Sequence, residues 1–173
     1  MRRFTLTLGL LVGFSLMLSA NGANAQTHPA VRTTPAFDQF KALAGEWNGK
    51  DPEGRAVTVS YKLVSNGSAM MEWLQTLNEP EMVTMYSLDG DHIVAEHYCS
   101  AGNQPVMQTP SASTATGNYE FTFVRVGGTA SPGEGHMTGL SVSMPDKDHL
   151  VQVWTFEDHG KSMSHTLKFT RKT

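Results

Sequence analysis

The chain reads as an all-β protein, a single antiparallel up-and-down barrel of about ten strands with a short N-terminal capping helix. Three observations predict it. Apolar residues recur at a period of two along almost the whole chain. Turn-forming quartets punctuate these runs at short intervals: Ser65-Asn66-Gly67-Ser68, Leu88-Asp89-Gly90-Asp91, Pro145-Asp146-Lys147-Asp148 and Asp158-His159-Gly160-Lys161. The heptapeptide Leu43-Ala44-Gly45-Glu46-Trp47-Asn48-Gly49 then places a G-x-W on the first strand, answered by Arg171 on the last. A Trp plugging one end of a barrel can carry a guanidinium from the closing strand across its indole face, a cation–π contact worth about 0.5–2 kcal/mol. Gly45 permits the sharp turn into that strand. Gly45, Trp47 and Arg171 are therefore expected to be structural.

The elements follow in order. Met1-Arg2-Arg3 is a basic start, Phe4 to Leu18 is mostly apolar, and Ala23-Asn24-Ala25 is an A-x-A cleavage site ahead of Gln26. This predicts a Sec-type signal peptide over 1–25 and a periplasmic or secreted protein. The apolar run is too short, and too interrupted by Thr, Gly and Ser, for an integral membrane span, and no Cys follows it to take a lipid. Residues 26–35, carrying Pro29 and Pro35, read as an extended arm, and 36–173 as the barrel domain. Within 36–43, Phe37, Phe40 and Leu43 share one helical face, which makes this stretch the cap of a barrel end. Strands are expected at about 45–50, 56–64, 69–77, 82–88, 92–99, 105–109, 118–126, 135–144, 149–157 and 161–171. Gly127 to Gly135 is a loose Gly/Ser/Pro loop.

Composition narrows the function classes. The 173-residue chain has 13 Lys and Arg against 16 Asp and Glu. Cleavage after Ala25 would remove Arg2 and Arg3, leaving 11 basic residues and moving the formal charge from -3 to -5. The remaining basic residues are scattered and form no stripe to track phosphates, which argues against a nucleic-acid partner. Cys99 is the sole cysteine, so an internal disulfide is excluded and stability must come from packing. Apart from Met1 and Met17, the methionines are spread over the strands as core filler rather than clustered for copper.

Alternation assigns faces. On the final strand Met163, His165, Leu167, Phe169 and Arg171 share one side, which points His165 inward. His136, Thr138, Leu140, Val142 and Met144 make His136 a second inward candidate. Tyr119, Phe121 and Phe123, then Leu150, Gln152, Trp154 and Phe156, then Val57, Val59, Tyr61 and Leu63 supply an aromatic, mostly apolar interior. The third strand is ambiguous, with Glu72 between Met70 and Leu74 on one face and Met71 with Trp73 on the other.

Polar side chains crowd together between Glu96 and Met107, where a strand end runs into Gly102-Asn103-Gln104-Pro105. A pocket needs an apolar wall and a few oriented polar groups. The expected ligand-binding residues are His97, Tyr98, Cys99, Asn103, His136, Trp154 and His165. His97 and Cys99 alternate onto one face and could offer two soft ligands to zinc or copper, the others coming from His136 or His165. The commoner arrangement is a hydrogen-bonded core histidine beside an inert thiol. Enzyme signatures are lacking: Gly139-Leu140-Ser141-Val142-Ser143 is no nucleophile elbow, and H-E-x-x-H, P-loop and G-x-G-x-x-G patterns do not occur. Glu72 and Glu96 could form an acid/base pair with a histidine, although strand carboxylates more often face solvent.

The segments Leu43-Ala44-Gly45-Glu46-Trp47 and His97-Tyr98-Cys99, the latter followed by Gly102-Asn103-Gln104-Pro105, resemble an uncharacterised bacterial secreted family with a lipocalin-like (calycin), nitrobindin-like β-barrel. The resemblance spans about 36–172. It implies a calycin-type barrel and carries no settled activity. True lipocalins have eight strands and a C-terminal helix, which this chain lacks, so the nitrobindin-like form is the nearer one. That form implies haem, with an axial histidine on the final strand, and His165 occupies the matching place. Three function classes follow: a barrel binding a small apolar or amphipathic molecule, a haem protein ligated by His165, and a structural or interaction barrel with a filled core.

Overall fold

The computed structural model describes residues 30–129, 131 and 133–173, so the signal peptide expected over 1–25 and the start of the expected arm lie outside the described residues. The order is α1 (Pro35–Lys41), β1 (Gly45–Lys50), β2 (Ala56–Val64), a 3-10 turn at Ser65–Gly67, β3 (Ala69–Thr76), β4 (Met82–Asp89), β5 (His92–Tyr98), β6 (Gln104–Gln108), β7 (Asn118–Gly127), β8 (His136–Ser143), β9 (His149–Asp158) and β10 (Lys161–Arg171). Each strand pairs antiparallel with its sequence neighbours, and β1 pairs with β10. The result is the closed ten-strand up-and-down barrel expected from the sequence, with every boundary within two residues. Closure removes both sheet edges, which would otherwise expose unpaired backbone. Among the described residues no helix is long and apolar enough to cross a membrane.

Helix α1 forms where its caps dictate. The Thr34 hydroxyl accepts from the Phe37 N–H at 3.2 Å, and Pro35 opens the first turn, where its missing N–H has no cost. Ala36, Phe37, Phe40 and Leu43 are buried against one end of the barrel. The Phe40 ring lies 4.9 Å from Tyr119, 5.3 Å from Tyr86 and 5.8 Å from Phe121. Gln39 accepts hydrogen bonds from the Gly117 N–H at 3.0 Å and from the Tyr119 hydroxyl, tying the helix to the approach to β7. This end of the barrel is sealed.

The seam carries the G-x-W. Trp47 and Arg171 stand opposite each other in the β1–β10 register, with the guanidinium carbon 4.1 Å from the indole centroid. Trp47 Nε1 donates to the Leu43 carbonyl at 2.9 Å. Arg171 donates to the carbonyls of Ala42 (2.8 Å), Ala44 (2.9 Å) and Lys147 (2.8 Å). Carbonyls at a helix C-terminus lack intrahelical partners, so one cation satisfies them and complements the helix dipole. Gly45 has φ 127°, a region that favours glycine.

A departure from strict alternation on β8 changes a face assignment. A register shift between Met137 and Gly139 on β8 means that Met137 pairs with Phe156, while Leu140 pairs with Trp154. Met137, Leu140 and Val142 therefore point to the interior, and the expectation of an inward His136 is overturned: the bulge changes the phase of the strand. His136 pairs with Glu157, stacks on Phe123 at 5.1 Å and donates from Nδ1 to the Glu134 carbonyl at 2.8 Å. On β3 it is Met70, Glu72 and Leu74 that are buried, with Trp73 exposed. The tendency of strand carboxylates to face solvent holds for Glu96, 3.6 Å from Arg125, and fails for Glu72.

Candidate functional site

The end of the barrel opposite α1 holds a cavity of about 490 Å³. Its wall is apolar, built chiefly from Leu74, Met82, Met137, Trp154, Phe156 and Leu167. Its rim comes from the β1–β2 and β3–β4 loops and the β5–β6 turn. Three carboxylates, Asp51, Glu53 and Glu79, stand there with a single cation, Arg55. Arg55 is already committed to Asp51 at 2.5 Å and Glu53 at 2.8 Å, so the mouth is net negative.

Below the wall lies a polar network that closes the core. Glu72 on β3 has no exposed surface. Its Oε2 accepts from the Tyr61 hydroxyl (2.6 Å), the Tyr86 hydroxyl (2.9 Å) and Gln152 Nε2 (2.7 Å). Gln152 Nε2 also donates to the Tyr61 oxygen at 2.7 Å, and its Oε1 accepts from Trp154 Nε1 at 3.1 Å. Burial raises the Glu72 carboxyl above the ordinary carboxylate range, against the pull of its hydrogen bonds. Burial and the neighbouring carboxylate push the Tyr61 and Tyr86 hydroxyls well above theirs, so both remain donors.

From this network one arm reaches the cavity. Thr84 Oγ1 lies 3.3 Å from Glu72 Oε1 and 2.9 Å from His97 Nδ1. The His97 ring packs against Trp154 with centroids 4.5 Å apart. His97 lines the cavity, yet its Nε2 is buried with no hydrogen-bond partner among the described residues. Thr76 Oγ1, from another cavity-lining residue, is likewise unpartnered. Desolvation lowers the His97 pKa to about 4, so the imidazole is neutral near pH 7. A neutral imidazole held through Nδ1 can accept or donate one hydrogen bond at Nε2, depending on its tautomer.

The residues expected to bind ligand separate into two groups. His97, Cys99, Trp154 and His165 line the cavity. His165 does so at the mouth, exposed, between Met163 and Leu167 on the cavity side of β10, and no hydrogen bond or ion pair holds its ring among the described residues. Tyr98, Asn103 and His136 lie elsewhere. Tyr98 is exposed and pairs with Val83 on the outer face, because it alternates with His97. Asn103 is buried but structural: its Nδ2 donates to the Gly135 carbonyl at 2.8 Å and its own carbonyl accepts from the Cys99 N–H at 3.0 Å. Among the described residues no three His, Cys, Asp or Glu side chains gather to hold a metal ion, which leaves His97 and Cys99 without the further ligands that zinc or copper requires. Glu72, Thr84 and Gln152 are not among the expected ligand-binding residues. The period of two on β4, with Met82, Thr84 and Tyr86 on one face, was the available signal for Thr84.

Comparison with known proteins places the fold. The barrel is similar to the crystal structure of Rv2717c from M. tuberculosis, with a TM-score of 0.59 and 14% identity over 82% of this chain and 100% of that one. It is also similar to a protein with unknown function from the DUF3598 family of Nostoc punctiforme PCC 73102, with a TM-score of 0.54 and 15% identity. That match covers 86% of this chain and 53% of the Nostoc chain, about half its length. No family model matches the sequence, and no curated protein does. At such identities the likeness is one of architecture alone.

Proposed function

We propose that this protein is a periplasmic or secreted binding protein of the nitrobindin-like, calycin type, which holds a small apolar or amphipathic molecule inside the barrel. The observation that carries the reading is the cavity of about 490 Å³, apolar in its wall, with His97, whose buried Nε2 has no partner among the described residues, in its lining. Ligand pockets run from roughly 300 to 1,000 Å³ and combine an apolar lining with a few polar groups that set orientation. A buried polar atom without a partner costs about 1–3 kcal/mol, and a ligand that supplies the missing partner recovers it. A filled structural barrel would lack the cavity. The net negative rim favours a neutral molecule over an anionic one.

Haem is the alternative that His165 raises, and the surroundings of His165 do not fit it. Metal-binding imidazoles are held through their other nitrogen, whereas the His165 ring has no such partner among the described residues. The carboxylates of the rim also oppose the anionic side chains of a porphyrin.

The test is a titration with N-phenyl-1-naphthylamine, a neutral apolar fluorophore. Saturable one-to-one binding is expected, and Leu167→Trp, which puts a larger ring into the cavity wall, should weaken it by roughly tenfold or more, about 1.4 kcal/mol. Absence of saturable binding, or binding indifferent to Leu167→Trp in a variant with unchanged circular dichroism, refutes the reading. A haemin titration in parallel should give no Soret band that His165→Ala removes.

A further inference from the structure

The arrangement of donors around Glu72 has a consequence at the cavity surface. Thr84 carries one hydroxyl hydrogen and stands between two atoms that could take it, Glu72 Oε1 at 3.3 Å and, in one of its two tautomers, His97 Nδ1 at 2.9 Å. The three other donors to Glu72, from Tyr61, Tyr86 and Gln152, converge on Oε2. Three donors on one oxygen is the coordination of an ionised carboxylate, which accepts and has nothing to donate. Oε1 then depends on Thr84 for its hydrogen bond. If Thr84 gave its hydrogen to His97 instead, a carboxylate oxygen would be left buried and unpaired. When Thr84 donates to Glu72, its oxygen must accept from His97, so the ring proton resides on Nδ1. Nε2 is left as a bare lone pair.

We infer that the chain Glu72–Thr84–His97 locks His97 as the Nδ1–H tautomer, which makes the cavity a site for neutral ligands that present a hydrogen-bond donor, a hydroxyl or N–H group, at their buried end. This rests on the reading of the cavity as a binding site and specifies its ligand class. Ethers, esters and carboxylates, which offer acceptors only, would set oxygen against the His97 lone pair and be rejected, because two desolvated acceptors repel. His97 has no exposed surface in this state of the protein, and the unbranched side chains of Met82 and Met137 in the same wall are the ones able to give way to an incoming group. Thr84 and Glu72 are positioning residues in this account: neither lines the cavity.

Two measurements test it. Long-range proton–nitrogen NMR spectra of the uniformly labelled protein at pH 7 read the tautomer directly, and Nδ1–H is expected for His97. Glu72→Gln should invert it, since the new amide can donate to Thr84 and so turn the Thr84 hydroxyl toward Nδ1. Thr84→Val, which removes the link while keeping the side-chain shape, should release the ring to a mixture of tautomers. The second measurement compares 4-butylphenol with 4-butylanisole, nearly the same apolar body with and without a donor. The wild type should bind the phenol about tenfold more tightly, and Glu72→Gln should erase or reverse that ratio. An Nε2–H tautomer in the wild type overturns the inference whatever binds. Equal affinity for the two probes overturns the donor preference and leaves the binding reading standing. Binding of neither probe, with the tautomer as expected, overturns the binding reading and the ligand class with it.

Discussion

At the scale of single residues, His97 is the group whose ionisation the fold resists most visibly. Its pKa is lowered by burial from 6.5 to about 4. Between those values the unfolded chain takes up a proton that the folded chain refuses, so its contribution to stability is intact above about 6.5 and is lost as pH falls towards 4. The gap corresponds to about 3 kcal/mol. Glu72 acts in the opposite sense, because its carboxyl is raised above 4.5: over the window just above that value the unfolded chain releases a proton first, and stability falls as pH rises. Urea unfolding of the wild type and His97→Gln across pH 4–7 separates the two, since Glu72 is common to both. The variant should gain on the wild type by about 3 kcal/mol as pH falls across that range. Parallel curves would mean that the imidazole is not desolvated.

At the scale of elements, the helix and the bulges shape what the strands enclose. Phe40 brings three aromatic rings of the barrel end into contact with α1 and is itself fully buried. Phe40→Ala should cost about 3–5 kcal/mol, as large aromatic deletions from cores do, while the far-ultraviolet β-sheet signal persists below the melting transition. A loss under about 1 kcal/mol would show that the helix is a peripheral attachment and not the seal of that end. The β8 bulge has a subtler effect. Alternation carried through Thr138 turns His136 inward. The structure spends one residue there on the bulge and presents Met137 to the cavity in its place.

At the scale of the whole molecule, the barrel exists as a container because β1 and β10 meet. Beyond the Trp47–Arg171 contact, the close approach at Gly49 sets the seam: a Cβ there would sit 2.4 Å from the Lys168 carbonyl oxygen and 2.5 Å from Phe169 Cδ1. The carbonyl belongs to the pairing that closes the barrel and cannot turn aside. Gly49→Ala should therefore destabilise the fold by about 1–3 kcal/mol or more, with hydrogen-exchange protection lost first along β1 and β10. A variant with wild-type stability and intact protection at those strands would contradict the seam as described.

Much of this protein was determined by its sequence alone. The strands, the capping helix, the hairpin turns and the pairing of Trp47 with Arg171 were legible because each rests on local physics: a period of two, residues suited to tight turns, an apolar helical face, and one aromatic answered by one cation. The site was legible only in part. Alternation reports which side of a strand a residue occupies, and so it found His97, Cys99 and Trp154, but it does not report depth along the barrel axis. His165 lies on the correct face and yet at the exposed mouth. Glu72 meets Tyr61, Tyr86 and Gln152 because closure brings β2, β3, β4 and β9 around one point, although Glu72 and Gln152 are 80 residues apart in the chain. Register, shear and the β8 bulge decide which inward polar groups touch, and those belong to strands taken together. Only the tertiary structure could therefore bring His97, with its buried unpartnered nitrogen, into the lining of the cavity.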